Sequence, residues 1–254
     1  MGGFETIIFA KEGAVGRLTL NRPEALNSFN VRMRDELFEI LGAIGQDDEI
    51  RVVVVNGAGE KAFCAGADLS EFLTAASPNA ARVIRFERDV WARLLELPQP
   101  LIAAVHGFVL GSGIEIALCC DIRIASEDAK FGLPELGLGI LPAAGGTQTL
   151  PRIVGRGAAL EMLLTNRRLD AAEAQRIQLV HRVVPRTALL DTALEMAEHI
   201  AALDPRAVQY AKQAIVRGLD MSLEKGLELE RRLAAMVRSR TPSEPESPPP
   251  METR

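Results

Sequence analysis

The 254-residue chain is 48% apolar and 25% charged, the balance of a globular protein long enough to bury a full core. A net charge of −5 with no Lys/Arg run argues against a nucleic-acid-binding stripe, and every apolar run is too short for a membrane helix. The three cysteines, Cys64, Cys119 and Cys120, lack metal-ligand spacing and read as small core residues of a cytoplasmic protein, with no secretory leader expected.

In chain order, Thr6–Ala10 and Val15–Leu20 alternate as two strands joined at Gly13. Asn30 is placed to cap a helix running to about Ile44, with Met33, Leu37, Ile40, Leu41 and Ile44 on one face. The run Val52-Val53-Val54-Val55 predicts a strand buried on both faces, ended by Asn56-Gly57-Ala58-Gly59. A loop follows, then an amphipathic helix from about Asn79 to Leu97. Leu101–Val105 reads as a buried strand, Gly107 to Gly113 as a turn, Gly113–Cys119 as a helix and Ile122–Ala125 as a strand. After Gly145 the pattern turns mostly helical: Ala159–Thr165, Ala171–Arg176, Thr187–Leu203, Pro205–Arg217 and Leu223–Arg238, with a short strand at Val180–Val184. These units predict an α/β core over residues 1–190 and a helical region over 191–240. The tail 241–254 holds five of the 14 prolines and reads as disordered.

Two carboxylates stand out. Glu115 follows the turn Gly111-Ser112-Gly113 at the mouth of an apolar helix, and Glu135 follows Gly132-Leu133-Pro134 after a strand. Each alone reads equally well as a helix-dipole residue or a solvated loop residue. Apolar neighbours on both sides, Ile114 and Ile116 or Pro134 and Leu136, call for a partner or a special environment. A pair of such groups sharing one water moves protons in both directions, as adding water to a polarised double bond requires. The glycine turns at Gly66 and Gly111 place free N–H groups where an oxyanion is stabilised.

The runs Asn21-Arg22-Pro23, Ala25-Leu26-Asn27, Ala62–Leu69, Ala104-Val105-His106-Gly107 through Asp121, Gly132–Glu135 and Gly145-Gly146-Thr147-Gln148 together resemble the enoyl-CoA hydratase/isomerase (crotonase) superfamily, over about residues 4–238. The resemblance implies a spiral of ββα repeats followed by trimerising helices, an assembly into a homotrimer or a dimer of trimers, and an acyl-CoA substrate with no cofactor and no metal. It implies backbone N–H groups of Ala67 and Ser112 on the thioester oxygen, Glu115 and Glu135 as catalytic acid and base, and the Ala143 N–H positioning water. Ala25, Leu26, Ala65, Gly66, Asp68, Leu69, Ser70 and Gly111 would lie along the CoA ester, and the stretch Leu73–Arg93 along the acyl group.

Isomerases of the family typically keep only the acid/base at the position of Glu135, so both glutamates imply a hydratase. A double-bond isomerase or another enolate-forming lyase is the alternative; a silent scaffold and a serine hydrolase using Ser112 are more distant ones. Ser112 and Ala143 stand where the family usually has glycine, Ser70 where many hydratases have lysine, and Glu24 where a basic residue is common. The proline-rich end replaces a helix that usually covers CoA.

Overall fold

The computed structural model describes residues 3–74 and 87–238. The first strands, β1 (Ile7–Glu12) and β2 (Val15–Leu20), form an antiparallel hairpin. Helix α1 (Val31–Gln46) is capped as expected, with Asn30 Oδ1 accepting the Met33 N–H at 2.9 Å. From β3 (Val52–Gly57) onward the chain alternates between two sheets. β3, β5 (Leu101–Val105) and β7 (Ile122–Ser126) extend the hairpin sheet in parallel, and β10 (Arg182–Val184) closes its far edge. β4 (Ala62–Cys64), β6 (Phe108–Leu110), β8 (Lys130–Gly132) and β9 (Leu169–Asp170) make the second sheet, in that order. Each passage from first sheet to second is one turn of a ββα spiral.

The segment 107–113, expected as a turn throughout, therefore contains a strand. β6 is three residues long and pairs in parallel with β4 and β8, too short for a period-2 pattern to register. Of the helix expected over 79–97, residues 79–86 lie outside the described residues, as do the tail 241–254 and most of the stretch expected along the acyl group. The described part is α3 (Val90–Glu96), capped by Asp89, after the short helix α2 (Leu69–Thr74). Trp91 is core: its ring lies 5.0 Å from that of Phe29.

The four valines divide their side chains between two faces. Val53 and Val55 join the interior with α1 and α4 (Ser112–Cys119). Val52 and Val54, with Val15, Ile102, Ala104 and Ile124, meet α8 (Leu189–Ala201). That helix presents Leu189, Ala193, Ala197 and Ala201 at four-residue spacing, and the three alanines let it lie close against the sheet. Arg51 Nη1 donates to the Ala201 carbonyl at 2.9 Å and closes the helix end. The first compact unit accordingly runs to Ala202, past residue 190. Between β8 and α8 lie α5 (Gly146–Val154), α6 (Arg156–Leu164) and α7 (Ala171–Arg176). The second unit, beginning at Leu203, contains α9 (Pro205–Gly218) and α10 (Leu223–Arg238), packed on each other.

Glu36 on α1 pins the first strand. Its Oε2 accepts the Thr6 N–H (2.8 Å) and hydroxyl (2.6 Å), and Oε1 accepts the Glu5 N–H (3.0 Å) and Arg32 Nε (3.1 Å). Burial pushes this carboxyl up, but the four donors outweigh burial and hold it below the usual carboxylate range. A depressed folded value means the stabilisation is complete above an ordinary glutamate's pKa of about 4.3 and fades as pH falls through the lower folded value. Replacing Glu36 by Gln is expected to cost about 1.5–3 kcal/mol at pH 7, read by urea unfolding. The deficit should shrink as the titration is carried below pH ~4.

Candidate active site

The site is built where the carboxyl ends of β4 and β6 meet, at two turns that touch. Gly66 (φ +115°) and Gly111 (φ +50°, ψ −120°) adopt conformations that L side chains avoid. A Cβ on Gly111 would fall 3.4 Å from the Gly66 Cα and 2.9 Å from Glu135 Oε1, so the bare Gly111 Cα sits between the first turn and that carboxylate. A Cβ on Gly113 would overlap the Cys64 carbonyl. These contacts seat the N-terminus of α4 against the end of β4. The Gly111 N–H donates to the Gly132 carbonyl at 3.0 Å, tying the same turn to β8.

Ala67 forms a parallel bridge with Phe29: the Phe29 N–H donates to the Gly66 carbonyl and the Asp68 N–H to the Phe29 carbonyl, both at 2.8 Å. Because both bonds come from residues flanking Ala67, its own N–H points away from Phe29. That N–H makes no hydrogen bond to another described residue. Ser112 is buried and opens α4, where backbone N–H groups have no intrahelical acceptor. The two expected oxyanion donors thus stand on turns held together by Gly66 and Gly111.

Glu115 is 2% exposed. Its Oε1 accepts the N–H groups of Ala144 and Gly146, both at 3.0 Å. Gly145, with φ +100°, turns the chain so that the N-terminal end of α5 faces this carboxylate, a favourable place for negative charge. Glu135 lies on a short 3-10 helix, Pro134–Leu138, half-buried, with its carboxyl against Gly111. Ala143 is exposed and its N–H bonds to no described residue. The grip of Ala144 and Gly146 on Glu115 escaped sequence reasoning, although Gly145-Gly146 at a helix start was its available signal.

The residues expected along CoA lie on adjoining loops. Leu26 (φ +53°) and Ala25 are half-buried, and the Leu26 carbonyl accepts the Ala65 N–H at 3.0 Å. Leu69 is 50% exposed and Ser70 is exposed. Asp68 turns its carboxylate into the protein: Oδ2 meets Arg22 Nη2 at 3.0 Å, and Oδ1 accepts the Ser70 hydroxyl at 2.6 Å. The Ser70 hydroxyl, and then Arg22, hold this carboxyl below its ordinary range against the opposing pull of burial. Asn27, part of the Ala25-Leu26-Asn27 run, is fully buried at φ +53° and is structural. Its Nδ2 donates to the carbonyls of Ala58 (2.9 Å) and Ala62 (2.8 Å), and its Oδ1 accepts the Arg22 N–H at 2.8 Å. Among the described residues no group of three or more His, Cys, Asp or Glu is placed to hold a metal ion.

The sequence profile of the enoyl-CoA hydratase/isomerase family matches residues 10–248. This chain belongs to that family. The short-chain-enoyl-CoA hydratase of Clostridium acetobutylicum is 46% identical over 224 residues, covering 88% of this chain and 86% of the relative. The (E)-benzylidenesuccinyl-CoA hydratase of Thauera aromatica is 44% identical, covering 84% and 83%. The crystal structure of an enoyl-CoA hydratase from Bacillus anthracis superposes with a TM-score of 0.90 at 42% identity, covering 93% of this chain and 92% of that one. The crotonase-like spiral of ββα repeats expected from the sequence is the fold of this member of the family.

In this family member, Gly111→Ala is expected to destabilise the fold by about 1–3 kcal/mol, the typical cost of a forced backbone conformation. Equilibrium unfolding in guanidinium checks it.

Proposed function

We propose that this protein is an enoyl-CoA hydratase that adds water across the 2,3 double bond of an acyl-CoA thioester. The observation that carries the reading is that two carboxylates flank one turn: Glu135 rests against Gly111, and Glu115 lies one helical turn beyond it, fixed by two N–H groups. An isomerase moves a proton between two carbons and needs one acid/base; hydration needs a group to hold and deprotonate water and another to deliver a proton. The N–H groups of Ala67 and Ser112 take the thioester oxygen, which makes C3 electrophilic. Glu115 acts as base, and the Ala143 N–H helps to position the water. Oxygen bonds to C3 as the proton passes to Glu115. The electron pair of the double bond moves toward the thioester as an enolate, and the Glu135 acid protonates C2. Every bond change is met by water and the two side chains, so no cofactor takes part.

The similar proteins include a short-chain-enoyl-CoA hydratase and an (E)-benzylidenesuccinyl-CoA hydratase, which supports a 2-enoyl-CoA thioester as the substrate class. No described helix is long and apolar enough to cross a membrane, and the three buried free thiols suit a reducing cytoplasm. Leu219, Leu223 and Ile215 of the second unit are 83%, 79% and 63% exposed. Such apolar surface supports assembly of this chain into a homotrimer or a dimer of trimers; light scattering on a sizing column should return three or six protomer masses.

Glu115→Gln and Glu135→Gln should each lower the hydration of crotonyl-CoA, followed by loss of enoyl absorbance, by roughly 10²–10⁴-fold. Thioester binding should survive both changes. Undiminished turnover in both variants, or isomerisation of 3-enoyl-CoA without any hydration, would sink the proposal.

A further inference from the structure

We propose that Arg22 is a positioning residue for catalysis, one that holds the Ala67 N–H on the thioester oxygen by clamping both sides of the Phe29–Ala67 bridge. The inference rests on the hydratase reading and deepens it. Arg22 Nη1 donates to the carbonyl of Ser28, the residue before Phe29, at 2.6 Å. Its Nη2 meets the carboxylate of Asp68, the residue after Ala67, at 3.0 Å. One planar guanidinium therefore spans the two segments that meet in the pair of bonds around Ala67. Behind it, the Arg22 backbone is fixed from both sides, its N–H on Asn27 Oδ1 and its carbonyl accepting the N–H groups of Ala25 and Asn27.

Three observations separate this clamp from an ordinary surface pair. Both side chains are more than four-fifths buried, at 18% and 17% exposure, so water and salt screen them little. The second oxygen of Asp68 is taken by Ser70, leaving the carboxylate turned inward. The two acceptors, a carbonyl and a carboxylate, lie on different segments, which the guanidinium fork reaches together and a single ammonium point charge reaches poorly. Backbone donors stabilise an oxyanion only when aimed at it beforehand, and the Arg22 fork fixes the chain immediately beside the bridge on both of its strands, at Ser28 and at Asp68. Arg22 thus acts on the reaction without touching the substrate.

The test uses Arg22→Met, Arg22→Lys and Asp68→Asn in the full chain, with circular dichroism to confirm folding. With a 2-enoyl-CoA substrate, Arg22→Met should lower kcat about 10- to 100-fold while KM stays within about threefold, since misaimed groups cost turnover more than binding. Arg22→Lys should recover part of the loss, and Asp68→Asn should show the same kcat-weighted pattern in weaker form. A direct readout is an aryl-conjugated enoyl-CoA bound to the Glu135→Gln protein, whose absorption moves to longer wavelength as donors polarise its carbonyl. Adding Arg22→Met should shrink that red shift. If Arg22→Met does not fold, the Asp68→Asn and Arg22→Lys measurements decide. Unchanged kcat with a full red shift overturns the proposal, and so does a rise confined to KM, which would make the pair a ligand contact. A missing red shift with Arg22 intact would instead refute the hydratase reading itself.

Discussion

The contact between Gly113 and the Cys64 carbonyl leaves no space for a methyl group, and the rest of the site depends on that closeness. It brings the first turn of α4 against the end of β4, so two backbone turns from successive spiral repeats become neighbours. Ile114, Ile116, Ala117 and Leu118 then bury the helix in the same core that holds Val53, Val55 and Val105. The packing that stabilises the fold therefore also sets the separation of the two turns that carry Ala67 and Ser112. A side chain at 113 would push the turns apart before it disturbed any functional group.

Helix α4 is buried along its whole length, so both of its ends must be satisfied inside the protein. The N-terminal end holds Glu115 in its first turn, where a negative charge is favoured. At the other end the Arg123 guanidinium donates to the carbonyls of Ala117, Cys120 and Leu179. A buried cation at the negative end of the helix offsets its desolvation through these three acceptors and the helix field. The backbone N–H of Arg123 in turn donates to His181 Nδ1 at 3.1 Å, leading into β10. Polar groups inside this core are thus used to finish one helix rather than left over from it.

Elements with a strong local pattern were legible in the sequence: the valine strand, the Asn30 cap and helices such as Ala171–Arg176 and Leu223–Arg238 agree residue for residue or nearly so. The second sheet was not, because its strands are two or three residues long and exist only through partners in other repeats. The same distinction holds in the site. Glu115, Glu135 and the glycine turns have signatures within a few residues of themselves. The hold of Ala144 and Gly146 on Glu115 spans 29 and 31 residues, and the Arg22–Asp68 pair spans 46. Composition and spacing carry no information on such pairs; the fold creates them. The inward turn of Asp68 is of this kind, since an acidic residue in a glycine-containing loop looks the same on paper whichever way it points.

In the proposed mechanism the donors at Ala67 and Ser112 belong to the main chain, and this separates two kinds of heritable change. A substitution at residue 112 or 143 alters the shape and polarity of the wall while leaving an N–H in place, as the serine and alanine found here illustrate. In that mechanism, the aim of the N–H groups depends instead on the glycines that fix the path of the backbone, Gly66 and Gly111 among them. A point mutation in the wall changes its shape while the N–H stays in place, whereas losing Gly66, Gly111 or either glutamate removes part of the proposed machinery itself.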